Sequence, residues 1–310
     1  MTDPPIERPV RLRPGDTVGV VAPAGVVAAE RLAAGTRVLE DFGLRVVTGE
    51  AVLARQAYLA GSDAARRADL QRMLDADDVR AVLCARGGYG CQRIVPSLDL
   101  SSLRRAPKPV VGFSDVTALL AAVVQARVVA IHGPMVAADL ARGLAPASRA
   151  HFLRLLTDAE YLWSAPVPTT VRPGRARGRL VGGCLSVLAS LLGTRWAPRF
   201  EGAILFIEDV HEWPYRIDRL LLQLAQAGAF TDVGGVVFGT MAGCRAQDDV
   251  GALDVVRAAF LDAPFPVGFG LAAGHDPAPH DVENLALPLG ALVELDTVDG
   301  RLAALEPAVG

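Results

Sequence analysis

The sequence predicts an α/β fold: an N-terminal doubly wound, flavodoxin-like parallel sheet followed by a C-terminal domain of mixed α/β character. Three observations predict it. Short runs rich in Val, Ile and Leu alternate with amphipathic stretches through the first half, as in sheets covered by helices on both faces. Those runs end in Pro, Gly, Ser or acidic residues, which is the composition of loops at strand C-termini. The 310 residues also exceed one ordinary domain, at about 100 to 200 residues each.

Taken in order, Asp16 to Gly25 holds an apolar run closing in Pro and Gly, so it is a buried strand and its loop. Residues 27–42 have helical spacing through Val27, Leu32, Val38 and Leu39, and Leu44 to Val47 returns to strand. Ser62 to Leu74 is a second helix, with Ser62 as cap and Asp63 favouring its first turn. Val79 to Ala85 is a buried strand that runs into Arg86-Gly87-Gly88-Tyr89-Gly90. A helix starts near Cys91, and Pro109 to Asp115 is a strand that stops abruptly before the helical Val116 to Gln125. Residues 142–161 read as a closing helix. The Pro-, Thr-, Arg- and Gly-rich stretch 166–179 has linker composition, which puts the domains at 1–165 and 180–310. Beyond it come a buried helix over 182–192, a strand over 202–209 ending in Glu208-Asp209, an amphipathic helix over 215–227, a strand over 234–238 and an alternating antiparallel strand over 287–295.

Composition narrows the chemistry. With 31 basic and 34 acidic residues the formal charge is −3, so no broad cationic surface exists for nucleic acid or anionic lipid. A single lysine, Lys108, removes the phosphate-loop motif and leaves one residue able to form a Schiff base, which disfavours kinases, phosphate-loop NTPases and pyridoxal enzymes. Cys84, Cys91, Cys184 and Cys244 lack C-x-x-C spacing and read as buried thiols. The N-terminus carries acid and proline where a signal peptide needs basic and then apolar residues, and no apolar run nears the ~18 to 20 residues of a membrane span. The expectation is a cytoplasmic protein with no membrane or nucleic-acid partner.

Three strand ends carry candidate chemistry. In Val110-Val-Gly-Phe-Ser114-Asp115, a strand passing into a helix through Ser114 exposes its hydroxyl beside the Asp115 amide, the logic of a nucleophile elbow; a Ser-Asp pair opening a helix is equally an N-cap. In Arg86 to Gly90, three glycines let backbone N–H groups face an anion, and the Gly88 amide can then pair with that of Asp115 as an oxyanion hole; the alternative is a tight turn alone. The loop lacks the G-x-G-x-x-G order of dinucleotide sites. In Ile204-Leu-Phe-Ile-Glu208-Asp209-Val-His211-Glu212, a carboxylate at the end of a buried strand suits the orienting of a histidine. His132, His275 and His280 are the histidines in loop-like surroundings, and spacing alone favours none of them. The clusters around Glu208 to Glu212 and His275 to His280 lack H-E-x-x-H spacing and Pro277 and Pro279 interrupt the second, so neither a metal nor a cofactor is expected.

In combination the chain resembles the LD-carboxypeptidase family, which includes muramoyl-tetrapeptide carboxypeptidases and microcin C immunity peptidases. The resemblance runs nearly end to end through Leu12-Arg-Pro-Gly-Asp16, Val20-Val-Ala-Pro23, Tyr58-Leu-Ala-Gly-Ser62-Asp63, Ala85 to Gly90, Val111 to Asp115, His132-Gly-Pro134, Leu180-Val-Gly-Gly183, Ile207-Glu-Asp209, Pro214-Tyr-Arg-Ile-Asp218 and Gly274-His275. It implies a serine peptidase with Ser114 as nucleophile, His275 as base and Glu208 as the acid that orients it, in a cleft between two domains. Asp115 and Gly88 amides would hold the oxyanion. The implied substrate is a small peptide or muropeptide, cut between the L-centre of a diamino acid and a terminal D-Ala. Arg86, beside Gly87, is the candidate for the substrate carboxylate. The implied assembly is a homodimer. Cys184 stands where relatives often carry asparagine, and Trp213 where a smaller residue is commoner. Three other readings remain: a hydrolase of peptidyl or aminoacyl nucleotides, with Trp163 or Trp213 stacking on the base; a ligand-binding module without catalysis; and a nicotinamide-dependent oxidoreductase, which rests only on the strand-loop-helix starts near Gly19 and Gly25.

Overall fold

The structure is a computed structural model, and it describes residues 5–244, 246 and 248–310. The chain divides into two compact units. The first runs to Tyr161 and takes back Ala278–Pro288 and Pro307–Gly310; the second comprises Leu162–Pro277 and Leu289–Glu306. The division differs from the expected one. Residues 166–179, predicted as a linker, supply strands of the second unit, and the chain returns to the first unit twice after leaving it.

In the first unit the elements alternate as predicted: β1 (Thr17–Val21), α1 (Ala29–Asp41), β2 (Arg45–Thr48), α2 (Asp63–Asp75), β3 (Val79–Cys84), the short α3 (Cys91–Ile94) and α4 (Ser101–Arg105), β4 (Val110–Gly112), α5 (Thr117–Gln125), β5 (Ala130–His132) and α6 (Pro146–Thr157). The helix expected from Cys91 ends within about one turn, because Pro96 breaks it into a 3₁₀ segment at Val95–Ser97. Ser62 caps α2 as read from the sequence, its Oγ accepting the Ala65 N–H at 3.2 Å.

The second unit contains β6 (Ser164–Pro166), β7 (Thr169–Arg172), β8 (Arg175–Cys184), α7 (Leu185–Leu191), β9 (Ile204–Val210), α8 (Pro214–Gln226), β10 (Gly235–Ala242), α9 (Ala252–Ala259) and β11 (Val267–Phe269). The segment expected as one strand over 287–295 is two, β12 (Leu287–Leu289) and β13 (Leu292–Asp296), separated at Gly290, which adopts φ +94°. β14 (Arg301–Ala304) follows.

The first sheet has the order β2-β1-β3-β4-β5-β12, and β1 through β5 pair in parallel. The order 2-1-3-4-5 is flavodoxin-like, so a switch in winding direction falls between β1 and β3. Strands β1 and β3 are buried almost throughout, whereas β2 at the edge is mostly exposed. The second sheet has the order β6-β14-β13-β8-β9-β10-β11-β7. Its centre, β8 to β11, is parallel and its flanks are antiparallel. Residues of α7, α8 and α9 pack against that centre: Leu188, Ile217, Leu221, Leu224 and Val256 enclose Leu205, Ile207 and Phe238. Ile217, Leu221 and Leu224 recur at helical spacing, which is why α8 presents one apolar stripe. Each such buried side chain contributes about 1.5–3 kcal/mol of burial free energy. Among the described residues no helix is long and apolar enough to cross a membrane.

Candidate active site

The first unit brings together every residue predicted around the nucleophile. Ser114 follows β4 after the buried Phe113 and opens a 3₁₀ turn, Ser114–Val116, that leads into α5. It sits at φ +62°, in the left-handed region that a serine rarely occupies, at a cost of about 1–3 kcal/mol. This is the geometry of an elbow. The N-cap alternative fails, because Ser114 is the first residue inside the turn and no side-chain cap bond closes it.

The loop after β3 lies directly against this turn. A Cβ on Gly87 would stand 2.8 Å from Ser114 Cβ and 3.0 Å from its Oγ, so only glycine leaves the hydroxyl unobstructed. Gly25 of the loop after β1 donates its N–H to the Gly87 carbonyl at 3.0 Å. The loops after β1, β3 and β4 therefore meet at the switch point of the sheet, where open α/β folds bind ligands. Arg86 is exposed, and its Nη1 donates to the Val26 carbonyl at 2.7 Å.

Asp115 contributes through its side chain as well as its amide. It is 5% exposed, and its Oδ2 accepts the Cys91 N–H at 2.8 Å, tying the Ser114 turn to the end of the glycine loop. Burial holds its carboxyl above the usual aspartate range. Burial likewise pushes the Cys84 and Cys91 thiols up; Cys84, Cys91 and Cys184 are buried as the sequence predicts, whereas Cys244 is only half-buried.

The second unit brings together the other two predicted residues. Glu208 is fully buried near the end of β9. Its Oε2 accepts from His275 twice, from the backbone N–H at 3.1 Å and from ring Nδ1 at 2.6 Å. A carboxylate can only accept, so Nδ1 carries the proton and Nε2 is left as the basic nitrogen. The preceding Gly274, at φ +111°, allows this approach: a Cβ there would lie 2.5 Å from Glu208 Oε2.

Other candidates fall elsewhere. Asp209, beside Glu208, points to the start of α7: its Oδ2 accepts the Ser186 N–H at 2.8 Å, and its Oδ1 accepts its neighbour Val210 N–H at 2.8 Å. Burial raises its carboxyl, as it raises the Cys184 thiol next to it. His132 is fully buried, tilted against Phe113 with ring centroids 5.6 Å apart. His280 is exposed and pairs with Asp281 at 3.1 Å. Trp163 is core, at 5% exposure, and Trp213 is exposed at the N-cap of α8. Sequence reasoning missed Arg66 and Asp63 behind the glycine loop. The sequence held no signal for the contact; it shows only in the fold, where a Cβ on Gly90 would lie 2.7 Å from Arg66 Nη1.

The chain is similar to known proteins over most of its length. A family model described as the LD-carboxypeptidase N-terminal domain matches residues 18–133, and one described as the LD-carboxypeptidase C-terminal domain matches residues 177–295. The "Probable murein peptide carboxypeptidase" of Bacillus subtilis is 37% identical over 309 residues, covering 97% of this chain and 95% of that protein. The murein tetrapeptide carboxypeptidase of Pseudomonas aeruginosa is 35% identical, covering 90% of this chain and 92% of that protein. Among solved structures, the muramoyltetrapeptide carboxypeptidase of Oxalobacter formigenes superposes with a TM-score of 0.82 at 28% identity, covering 93% of this chain and 97% of that one.

Proposed function

The chain belongs to the LD-carboxypeptidase family and is a serine-type carboxypeptidase, and from that premise we propose that it releases the terminal D-Ala of muropeptide tetrapeptides through Ser114, His275 and Glu208. Two observations, one within each unit, support this reading: Ser114 is held at a left-handed φ against Gly87, and His275 Nδ1 is held by the buried carboxylate of Glu208. In the proposed cycle Ser114 is the nucleophile and His275 the base. Ser114 Oγ attacks the scissile carbonyl while His275 Nε2 takes its proton. The proton then passes to the leaving amine of D-Ala, and water repeats the sequence on the Ser114 ester. Glu208 stabilises the imidazolium that forms in each half. The amides of Asp115 and Gly88 hold the tetrahedral oxyanion, each worth about 3 kcal/mol.

Arg86 receives the free carboxylate of the departing D-Ala in this reading. Its exposure beside Gly87 and its anchor on Val26 support that role, since an arginine with one N–H committed still offers a fork to a carboxylate. Arg86→Ala is expected to raise KM about tenfold or more with kcat little changed, as loss of uniform binding does; an unchanged KM rejects the assignment. A cytoplasmic homodimer completes the proposal, resting on the family and on the prevalence of symmetric dimers.

The direct test is incubation with a muramoyl tetrapeptide followed by mass spectrometry. Loss of one alanine by the wild type, and none by Ser114→Ala, supports the reading. Cleavage of a peptidyl adenylate analogue with the tetrapeptide untouched replaces it by the nucleotide alternative, and binding without turnover by either protein replaces it by the non-catalytic one.

A further inference from the structure

Arg66 lies on α2, a helix whose other arginines, Arg67 and Arg72, are at least partly exposed. Arg66 itself is 1% exposed. Its Nη1 donates to two backbone carbonyls on two different loops: Pro23, after β1, and Gly90, after β3, the latter at 3.0 Å. Its Nη2 donates to Asp63. Asp63 also receives Arg93, from Nε at 2.9 Å and from Nη2 at 2.7 Å. The Arg66 Nε has no hydrogen-bond partner among the described residues.

Burying a guanidinium costs several kcal/mol, and an unmatched buried N–H adds about 1–3 kcal/mol. An apolar side chain of similar volume would fill the space without either cost, so stability alone does not account for the charge. What the guanidinium does, and an apolar residue does not, is join two carbonyls across the β1/β3 switch point. The loops it joins are those that carry Gly25, Gly87 and Gly88. Gly90 is shaped to admit it, since any Cβ there would meet Nη1 at 2.7 Å. From the other side, the same loop end is fixed by the Cys91 N–H bond to Asp115.

We propose that Arg66, seated by Asp63, is a positioning residue that sets the glycine loop so that the Gly88 amide meets the transition-state oxyanion. The inference rests on the Ser114 reading above. Its consequence is kinetic in a particular way. An amide aimed at an oxyanion gains its contact only once the carbonyl becomes tetrahedral, so loosening the loop lowers kcat and leaves substrate affinity in place.

The test compares wild type, Ser114→Ala, Arg66→Lys, Arg66→Met and Asp63→Asn, by steady-state kinetics on a tetrapeptide, by the rate of Ser114 phosphonylation with a fluorophosphonate, and by thermal melting. The Arg66 variants are expected to lose about 10- to 100-fold in kcat, the range below and up to loss of one oxyanion donor, with KM within about twofold and phosphonylation slowed in parallel. Arg66→Lys should retain more than Arg66→Met, because an ammonium keeps the charge and reaches one carbonyl. Asp63→Asn, at a half-exposed site, serves if the Arg66 variants do not fold, and is expected to show the same split with a smaller loss. A kcat equal to wild type in folded variants overturns the inference while leaving the peptidase reading intact. A loss that follows only the fraction of folded protein, with KM and phosphonylation of the folded fraction unchanged, overturns it too. A wild type as inactive as Ser114→Ala overturns both.

Discussion

The two units hold the proposed catalytic groups by different means. In the first, backbone geometry positions the hydroxyl: Ser114 is held at φ +62° against Gly87, and the side-chain bonds that Arg66, Arg86 and Asp115 make to the surrounding loops end on main-chain carbonyl or N–H groups. In the second, side-chain hydrogen bonding positions the proposed base: the buried Glu208 accepts from both the backbone and the ring of His275. The difference teaches where each half is fragile. The Ser114 unit should fail when a Cβ is added beside the hydroxyl, and the His275 unit when the carboxylate acceptor is removed or when a Cβ is set against it at Gly274.

The largest expected effect lies on the second side. Glu208→Gln replaces an acceptor-only group by one that also donates and allows the wrong imidazole tautomer, and kcat should fall by about 10³ to 10⁴ with the circular dichroism spectrum unchanged. A loss below tenfold would mean that the carboxylate is dispensable, and the contrast between the units would disappear. Next come two alanine insertions that sharpen the comparison. Gly274→Ala combines a left-handed φ of +111° with a Cβ 2.5 Å from Glu208 Oε2, and Gly87→Ala sets a Cβ 2.8 Å from Ser114 Cβ. Each is expected to cost on the order of 10²-fold in kcat by misplacing a reacting group by about 1 Å. Gly274→Ala should also lower Tm, because alanine is strained at that φ, and the two melting curves measured together check this.

The smallest effect concerns Asp209, adjacent to Glu208 yet assigned no chemistry. Burial raises its folded-state pKa, so it contributes stability when protonated, and that contribution is lost as pH rises through the folded value. Asp209→Asn removes the titration. Melting temperatures from about pH 4 to 7 should therefore show the difference, variant minus wild type, becoming more positive with pH. A difference that is flat or falls with pH would show that the carboxylate is not penalised by burial.

What the sequence made legible follows the same physics. Strands buried on both faces leave continuous apolar runs, so β1, β3, β4 and β9 and the residues at their ends, Gly87, Ser114 and Glu208, stood out. Edge strands do not. The stretch 166–179 resembled a linker because it holds Pro166 and β7, which belong to the two edge strands of the sheet, and the start of β8, where Arg175–Arg179 pair with β13 before β9 joins on the other side; apart from Gly178 these strand residues are exposed or half-buried. The return of Ala278–Pro288 to the first unit left no periodic signal, because most of that segment is loop. Glu208 and His275 are 67 positions apart, and their contact comes from topology that no local pattern encodes. Arg66 was invisible for a further reason: a charged residue on a helix ordinarily faces solvent, and its burial depends on two loops that meet only in the folded sheet.

The claim on which the account turns is that the Ser114 hydroxyl becomes the acyl carrier. Rapid acid quench of the enzyme during turnover of a muramoyl tetrapeptide, followed by peptide mapping, tests it most directly. The account predicts a tripeptidyl ester on Ser114 in the wild type and none in Ser114→Ala. A Ser114→Ala enzyme that still releases D-Ala at the wild-type rate, or an ester found on another residue, would contradict it.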